Sequence, residues 1–160
     1  MGEEERALRR PVVHGSRMLS WVERRADSVR KLRLKGGFDG AFVDISSEDL
    51  GRLIAITASS LTEIRVHYGY CCFPYLKLFW KSVPVSVAPH GRLRSFVVER
   101  IRAVVFESDV EPLGQLTGSL EELVLTFSDS EIFVNASPLS RLPESFCALT
   151  ELRRIKLSHL

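Results

Sequence analysis

Leu120-Glu-Glu-Leu123-Val-Leu125 and Leu152-Arg-Arg-Ile155-Lys-Leu157 share one spacing, with apolar residues at relative positions 1, 4 and 6. The step from Leu120 to Leu152 is 32. The same spacing occurs in the first half of the chain. Val29-Arg-Lys-Leu32-Arg-Leu34 is followed, at the same step, by Leu61-Thr-Glu-Ile64-Arg-Val66. Positions 4 and 6 alternate across a polar residue, as a half-buried strand requires. Position 1 is the apolar residue leading into the strand. Strands this short cannot bury a face alone, but successive copies laid side by side build a parallel sheet over one continuous core. The middle of the chain leaves two frames open. Leu93-Arg-Ser-Phe96-Val-Val98 follows Leu61 at the same step again, and Ile101-Arg-Ala-Val104-Val-Phe106 lies 19 before Leu120. Their starts, Leu93 and Ile101, are too close for both to open full repeats.

The composition suits such a sheet. A chain of 160 residues with 45% hydrophobic and 26% charged residues is about one globular domain, long enough to bury a core. A formal net charge of +2 gives no argument for nucleic acid or a membrane surface as partner. Three cysteines do not make a fully paired disulfide framework and point to a reducing compartment, cytoplasmic or nuclear. No apolar run has the length of a membrane helix, and Met1–Arg10 lacks the apolar stretch of a signal peptide. Charge is unevenly placed. Met1–Lys35 holds ten basic and five acidic residues, a net of +5, whereas Glu107–Ser140 holds seven acidic and no basic ones. That pattern is either a solvated surface or a polarity that orients a charged partner.

The repeated segments resemble leucine-rich repeats, whose signature is Leu-x-x-Leu-x-Leu followed by x-x-Asn/Cys-x-Leu. The fullest match is Leu139-Ser-Arg-Leu142-Pro-Glu-Ser-Phe146-Cys-Ala-Leu149-Thr-Glu-Leu152-Arg-Arg-Ile155-Lys-Leu157, a Leu-Pro-x-x-Phe-x-x-Leu turn feeding a strand. Pro112-Leu-Gly-Gln-Leu116-Thr-Gly-Ser-Leu120 is a shorter version. The Asn/Cys position holds Gly37, Gly69 and Ser128 instead. Long steps without that asparagine are similar to the irregular repeats of F-box/leucine-rich-repeat proteins. The resemblance implies an α/β solenoid, with short parallel strands on a concave face and helices and loops on the convex face. Trp21 to Leu34 is similar to the junction that follows an F-box in such proteins, although no F-box precedes it here.

The expected organisation is a flexible charged segment over 1–15 and a repeat domain over 16–160. A helix over Ser16–Ala26, with Met18, Leu19, Val22 and Ala26 on its apolar face, is expected to cap the first repeat. Ser47–Ser59 reads as a helix, with Ser46 as its cap, Glu48 and Asp49 in the first turn, and Leu50, Leu53, Ile54 and Ala58 at helical spacing. Pro143–Ala148 reads as a short helical turn, with Cys147 in a core position. Tyr68–Pro89 reads as an irregular loop with one helical turn near Pro74–Lys81. Its aromatics, Tyr68, Tyr70, Phe73, Tyr75, Phe79 and Trp80, either fill the core or form a partner-binding patch. The last strand is expected to leave Ile155, Leu157 and Phe146 uncovered, so that the natural protein continues and this chain alone associates through that end.

No phosphate-binding or dinucleotide-binding glycine motif is found. His67 with Cys71 and Cys72 lacks a second ligand pair, so no metal or cofactor is expected. His14, His67, His90 and His159 fall into no nucleophile constellation, and no enzymatic activity is expected. Function then rests on the residues between the strand leucines. These are Lys31, Arg33 and Lys35, then Glu63, Arg65 and His67, then Glu122, Val124 and Thr126, then Arg154, Lys156 and Ser158. By the resemblance they line a concave face that binds a protein or peptide, as the substrate-recognition repeats of an F-box ubiquitin-ligase adaptor do. A ligase scaffold is implied only if an F-box lies upstream. The alternative is a repeat segment of an immune-type or signalling receptor, suggested by the Leu-Pro-x-x-Phe turn.

Overall fold

The computed structural model describes residues 15–35, 47–67, 78–101, 107–127 and 142–159. The repeated segments form one five-stranded sheet, all parallel, with the strands in chain order. These are β1 (Lys31–Lys35), β2 (Glu63–His67), β3 (Ser95–Ile101), β4 (Glu122–Phe127) and β5 (Arg154–His159). Sequence position 4 is in register throughout: Leu32 pairs with Ile64, Ile64 with Phe96, Phe96 with Leu123, and Leu123 with Ile155. This settles the open frame. The segment beginning at Leu93 supplies the third strand, and Ile101 is that strand's last residue; Val104 and Phe106 lie outside the described residues.

A backbone clamp recurs at each strand start. The Arg30 carbonyl accepts the N–H groups of Thr62 and Glu63, and the Thr62 carbonyl those of Arg94 and Ser95. The Arg94 carbonyl then accepts from Glu121 and Glu122, and the Glu121 carbonyl from Arg153 and Arg154. All eight bonds are 2.8–3.1 Å long. One carbonyl thus serves two donors of the next segment, which fixes the register before the strand begins.

Helical segments connect the strands and pack in a layer on one face. Helix α1 spans Gly15–Glu23 and α2 spans Ser47–Thr57. A π-helical turn, Leu78–Ser82, leads into α3 (Val83–Val87), with Pro84 in its first turn where no N–H is needed. Helix α4 (Glu107–Val110) continues as a 3₁₀ turn, Glu111–Gln115, and a further 3₁₀ turn, Glu144–Ala148, precedes β5. In α2 the spacing Leu50, Leu53, Ile54, Thr57 buries one stripe, and the Thr57 hydroxyl donates to the Leu53 carbonyl at 2.7 Å. The core joins this layer to Ile64, Val66, Phe96, Val98, Leu123 and Leu125, with the position-1 residues Leu61, Leu93 and Leu120 fully buried. Trp80 is buried edge-to-face on Phe96, with ring centroids 6.4 Å apart, so this aromatic fills the core. The side chains of the remaining aromatics of Tyr68–Phe79 lie outside the described residues, as do Ser46, Gly37, Gly69, Ser128, Cys71 and Cys72.

Three expectations need correction. Cys147 is exposed rather than in the core. It sits between Phe146 and Leu149, whose spacing matches the 3₁₀ period and leaves Cys147 off the buried side. Leu123 and Leu32, as strand leucines of the same pattern, are both expected to be almost fully buried; Leu123 is, but Leu32 is only half-buried, because β1 is an edge strand with a neighbour on one side. The 78–87 segment is more helical than an irregular loop, its one proline, Pro84, sitting where a helix start tolerates it. Among the described residues no helix is long and apolar enough to cross a membrane.

Candidate functional site

Side chains alternate along a strand, so residues 3 and 5 of each copy fall on the face of the sheet opposite the helical layer. They form rows across the strands. The first row runs Lys31, Glu63, Ser95, Glu122, Arg154, and the second Arg33, Arg65, Val97, Val124, Lys156. The register places Lys31, Arg33, Glu63, Arg65, Glu122, Val124, Arg154 and Lys156 in these two rows, with Lys35 paired to His67 and Thr126 to Ser158 further along the strands. It adds Ser95, Val97 and Glu99 from β3, which the two competing frames had hidden. The recurring step from Leu61 to Leu93 was the signal that could have found them.

The rows are charged at both ends and closed in the middle. Val97 is 1% exposed and Val124 5%, yet neither belongs to the core under the helices. On one side of this pair Glu63 gathers cations. Its carboxylate accepts from Arg33 Nε at 3.0 Å, and Lys31 Nζ and Arg65 Nε lie 3.9 and 3.8 Å away. Its side chain is only 15% exposed whereas those of Lys31 and Arg33 are 60% exposed. On the other side Glu122 has Arg154 at 4.0 Å, a loose pair, and Lys156 is exposed. Lys35, His67 and Glu99 follow in the third row, with His67 Nδ1 3.6 Å from the Glu99 carboxylate.

Thr126 has a different part. It is 4% exposed, and its hydroxyl accepts the N–H of Arg100 at 2.9 Å. Arg100 has φ +57°, a left-handed conformation, at the register shift between Val98 and Ile101. Thr126 thus satisfies a donor freed by the bulge rather than offering a surface group. Among the described residues, Arg65 Nε and Ser95 Oγ of this face are buried with no hydrogen-bond partner. Arg65 is the register partner of Val97, and Ser95 stands between Glu63 and Glu122 in the first row.

Chemically the face offers guanidinium and ammonium groups around a half-buried carboxylate. Lys31, Arg33, Arg65, Arg154 and Lys156 outnumber Glu63, Glu99 and Glu122. Arg33, Arg65 and Lys156 can turn toward a carboxylate ligand, the two arginines in bidentate fashion. Among the described residues no group of three or more His, Cys, Asp or Glu is placed to hold a metal ion. No protein-family model, curated protein or solved structure matches the chain.

Proposed function

We propose that the chain is a leucine-rich-repeat solenoid that acts as a protein-interaction module, with the strand face opposite the helices as its concave binding surface. The ligand is an acidic protein or peptide segment. The carrying observation is the in-register row Arg33, Arg65, Val97, Val124, Lys156, with cations flanking a sealed apolar centre. Extended faces of stacked short repeats are suited to such ligands. The role this fits best is substrate recognition for an F-box-type ubiquitin-ligase adaptor, supported by the long steps between copies and by the segment from Trp21 to Leu34. No enzymatic role is proposed.

Panning a displayed random peptide library on the immobilised chain, followed by titration of the selected peptides, tests the reading. The peptides are expected to be rich in Asp and Glu. Arg65→Glu with Lys156→Glu should weaken them by about tenfold or more, since each reversal replaces attraction with repulsion. Arg92→Glu, an exposed position in the turn before β3, should leave them unchanged. Selected peptides indifferent to the double reversal would overturn it.

A further inference from the structure

The charges of the strand face are ordered as well as unequal in number. In the second row Arg33 is committed, its Nε donating to Glu63 at 3.0 Å. Arg65 is not. Its side chain is 42% exposed and its Nε lies 3.8 Å from the Glu63 carboxylate, with no hydrogen-bond partner among the described residues. The row then crosses the sealed valines, Val97 and Val124, and reaches its next cation at Lys156. Three strand-to-strand steps separate Arg65 from Lys156, about 14 Å at about 4.8 Å each.

The ground between these two cations is bordered by acids. Glu122 stands two residues before Val124 on β4, and Glu99 two residues after Val97 on β3. Alternation puts both on the face of the valines. Glu122 is 28% exposed and held loosely, by Arg154 at 4.0 Å, and Glu99 is 37% exposed with the His67 ring 3.6 Å away. A carboxylate entering between them meets like charge, whereas an ammonium group meets two carboxylates.

An extended chain has the matching period. Its residues i and i+4 lie on one side, about 13 Å apart at about 3.3 Å per residue, and i+2 points the same way between them. Laid across the strands, such a segment sets acids on Arg65 and Lys156 and its middle residue over the valines. Laid along β1 instead, it would meet Lys31 and Arg33, whose charge Glu63 already offsets. Taking the face as the acidic-ligand surface proposed above, we infer that it reads spacing as well as charge. Its ligand is an extended segment of another protein that crosses the strands, with acids at i and i+4 and a basic residue at i+2.

The probes are two end-blocked, fluorescently labelled peptides of one composition and net charge, titrated against the full chain by anisotropy. One carries Glu-Ser-Lys-Ser-Glu between glycine–serine flanks, and the other Glu-Ser-Glu-Ser-Lys. The first is expected to bind roughly fivefold tighter, since the second loses a cation contact and sets an acid between Glu99 and Glu122. This comparison leaves the protein untouched. Replacing the middle lysine of the first peptide by glutamate should weaken it about threefold although it adds an acid. In the Glu99→Gln, Glu122→Gln variant the same replacement should strengthen binding instead. Equal binding of the two isomers, both lost on Arg65→Glu with Lys156→Glu, would overturn the spacing and leave the acidic-ligand face standing. So would binding of neither isomer where the selected acidic peptides do bind. Absence of binding by every acidic peptide would overturn both.

Discussion

Ser60 shows how much one hydroxyl can hold. Its Oγ lies 2.6 Å from the Ala26 carbonyl, 2.7 Å from that of Val29 and 3.0 Å from that of Thr57. A hydroxyl has one proton, so it serves these carbonyls one at a time. The device recurs, since Ser119 donates to the Leu93 carbonyl at 2.7 Å. In both cases the serine precedes position 1 of one copy and binds position 1 of the copy before, tying neighbouring segments behind the sheet. Ser60→Ala should cost about 1–2 kcal/mol, the range for a buried hydrogen bond whose acceptor is left unpaired. In thermal unfolding that is a fall of a few degrees, roughly 2–4 °C per kcal/mol at this chain length. An unchanged Tm would show that the carbonyls find other donors. Nothing in the sequence marked these serines, because serine before an apolar residue is common and its role depends on a carbonyl in the preceding copy. Leu123 and Leu32 make the same point about burial. Their local patterns are alike, but Leu123 is central and fully buried whereas Leu32 is at an edge. Leu123→Ala should cost about 3–5 kcal/mol and Leu32→Ala about 1–2 kcal/mol by denaturant titration. Equal losses would contradict this account of the edge.

Among elements, two turns of the helical layer, Glu111–Gln115 and Glu144–Ala148, approach closely. Ser145 donates its hydroxyl to the Glu111 carbonyl at 3.0 Å, and a side chain added at Gly114 would put its Cβ 2.5 Å from Ser145 Cβ and 2.8 Å from the Ser145 carbonyl oxygen. The second contact is with backbone, which cannot swing aside. Gly114→Ala should therefore destabilise by about 1–3 kcal/mol, the cost of overpacking. Gly118→Ala, where the nearest atom would be 3.9 Å away, should cost far less in the same calorimetric scan. A tolerated alanine at Gly114 would mean the two turns do not stack as described. The strands were legible because each needs apolar residues at fixed spacing and tolerates charge between them. The third strand was ambiguous, since Ile101, Val104 and Phe106 repeat the pattern of Leu93, Phe96 and Val98. The clamp carbonyl of Thr62, which takes the N–H groups of Arg94 and Ser95, decides between them, and a backbone bond leaves no trace in residue type.

At the scale of the molecule, the parallel order and the side-chain alternation separate two surfaces with different tasks. One face carries the core, and the other carries the cationic rows around Val97 and Val124. The residues of that second face were readable from the sequence wherever the strand frame was, because polar residues between strand leucines must fall opposite the core. That Val97 and Val124 are buried there was not readable, since burial on that side depends on the whole assembly. The central claim is that the copies at Leu32, Ile64, Phe96, Leu123 and Ile155 lie side by side, parallel and in register. Cross-strand proton contacts in the NMR spectrum of the labelled chain test it most directly. The account predicts parallel-type contacts linking Ile64 to Phe96, Phe96 to Leu123 and Leu123 to Ile155. Antiparallel contacts between these strands, or contacts linking Ile64 to Val104 in place of Phe96, would contradict it.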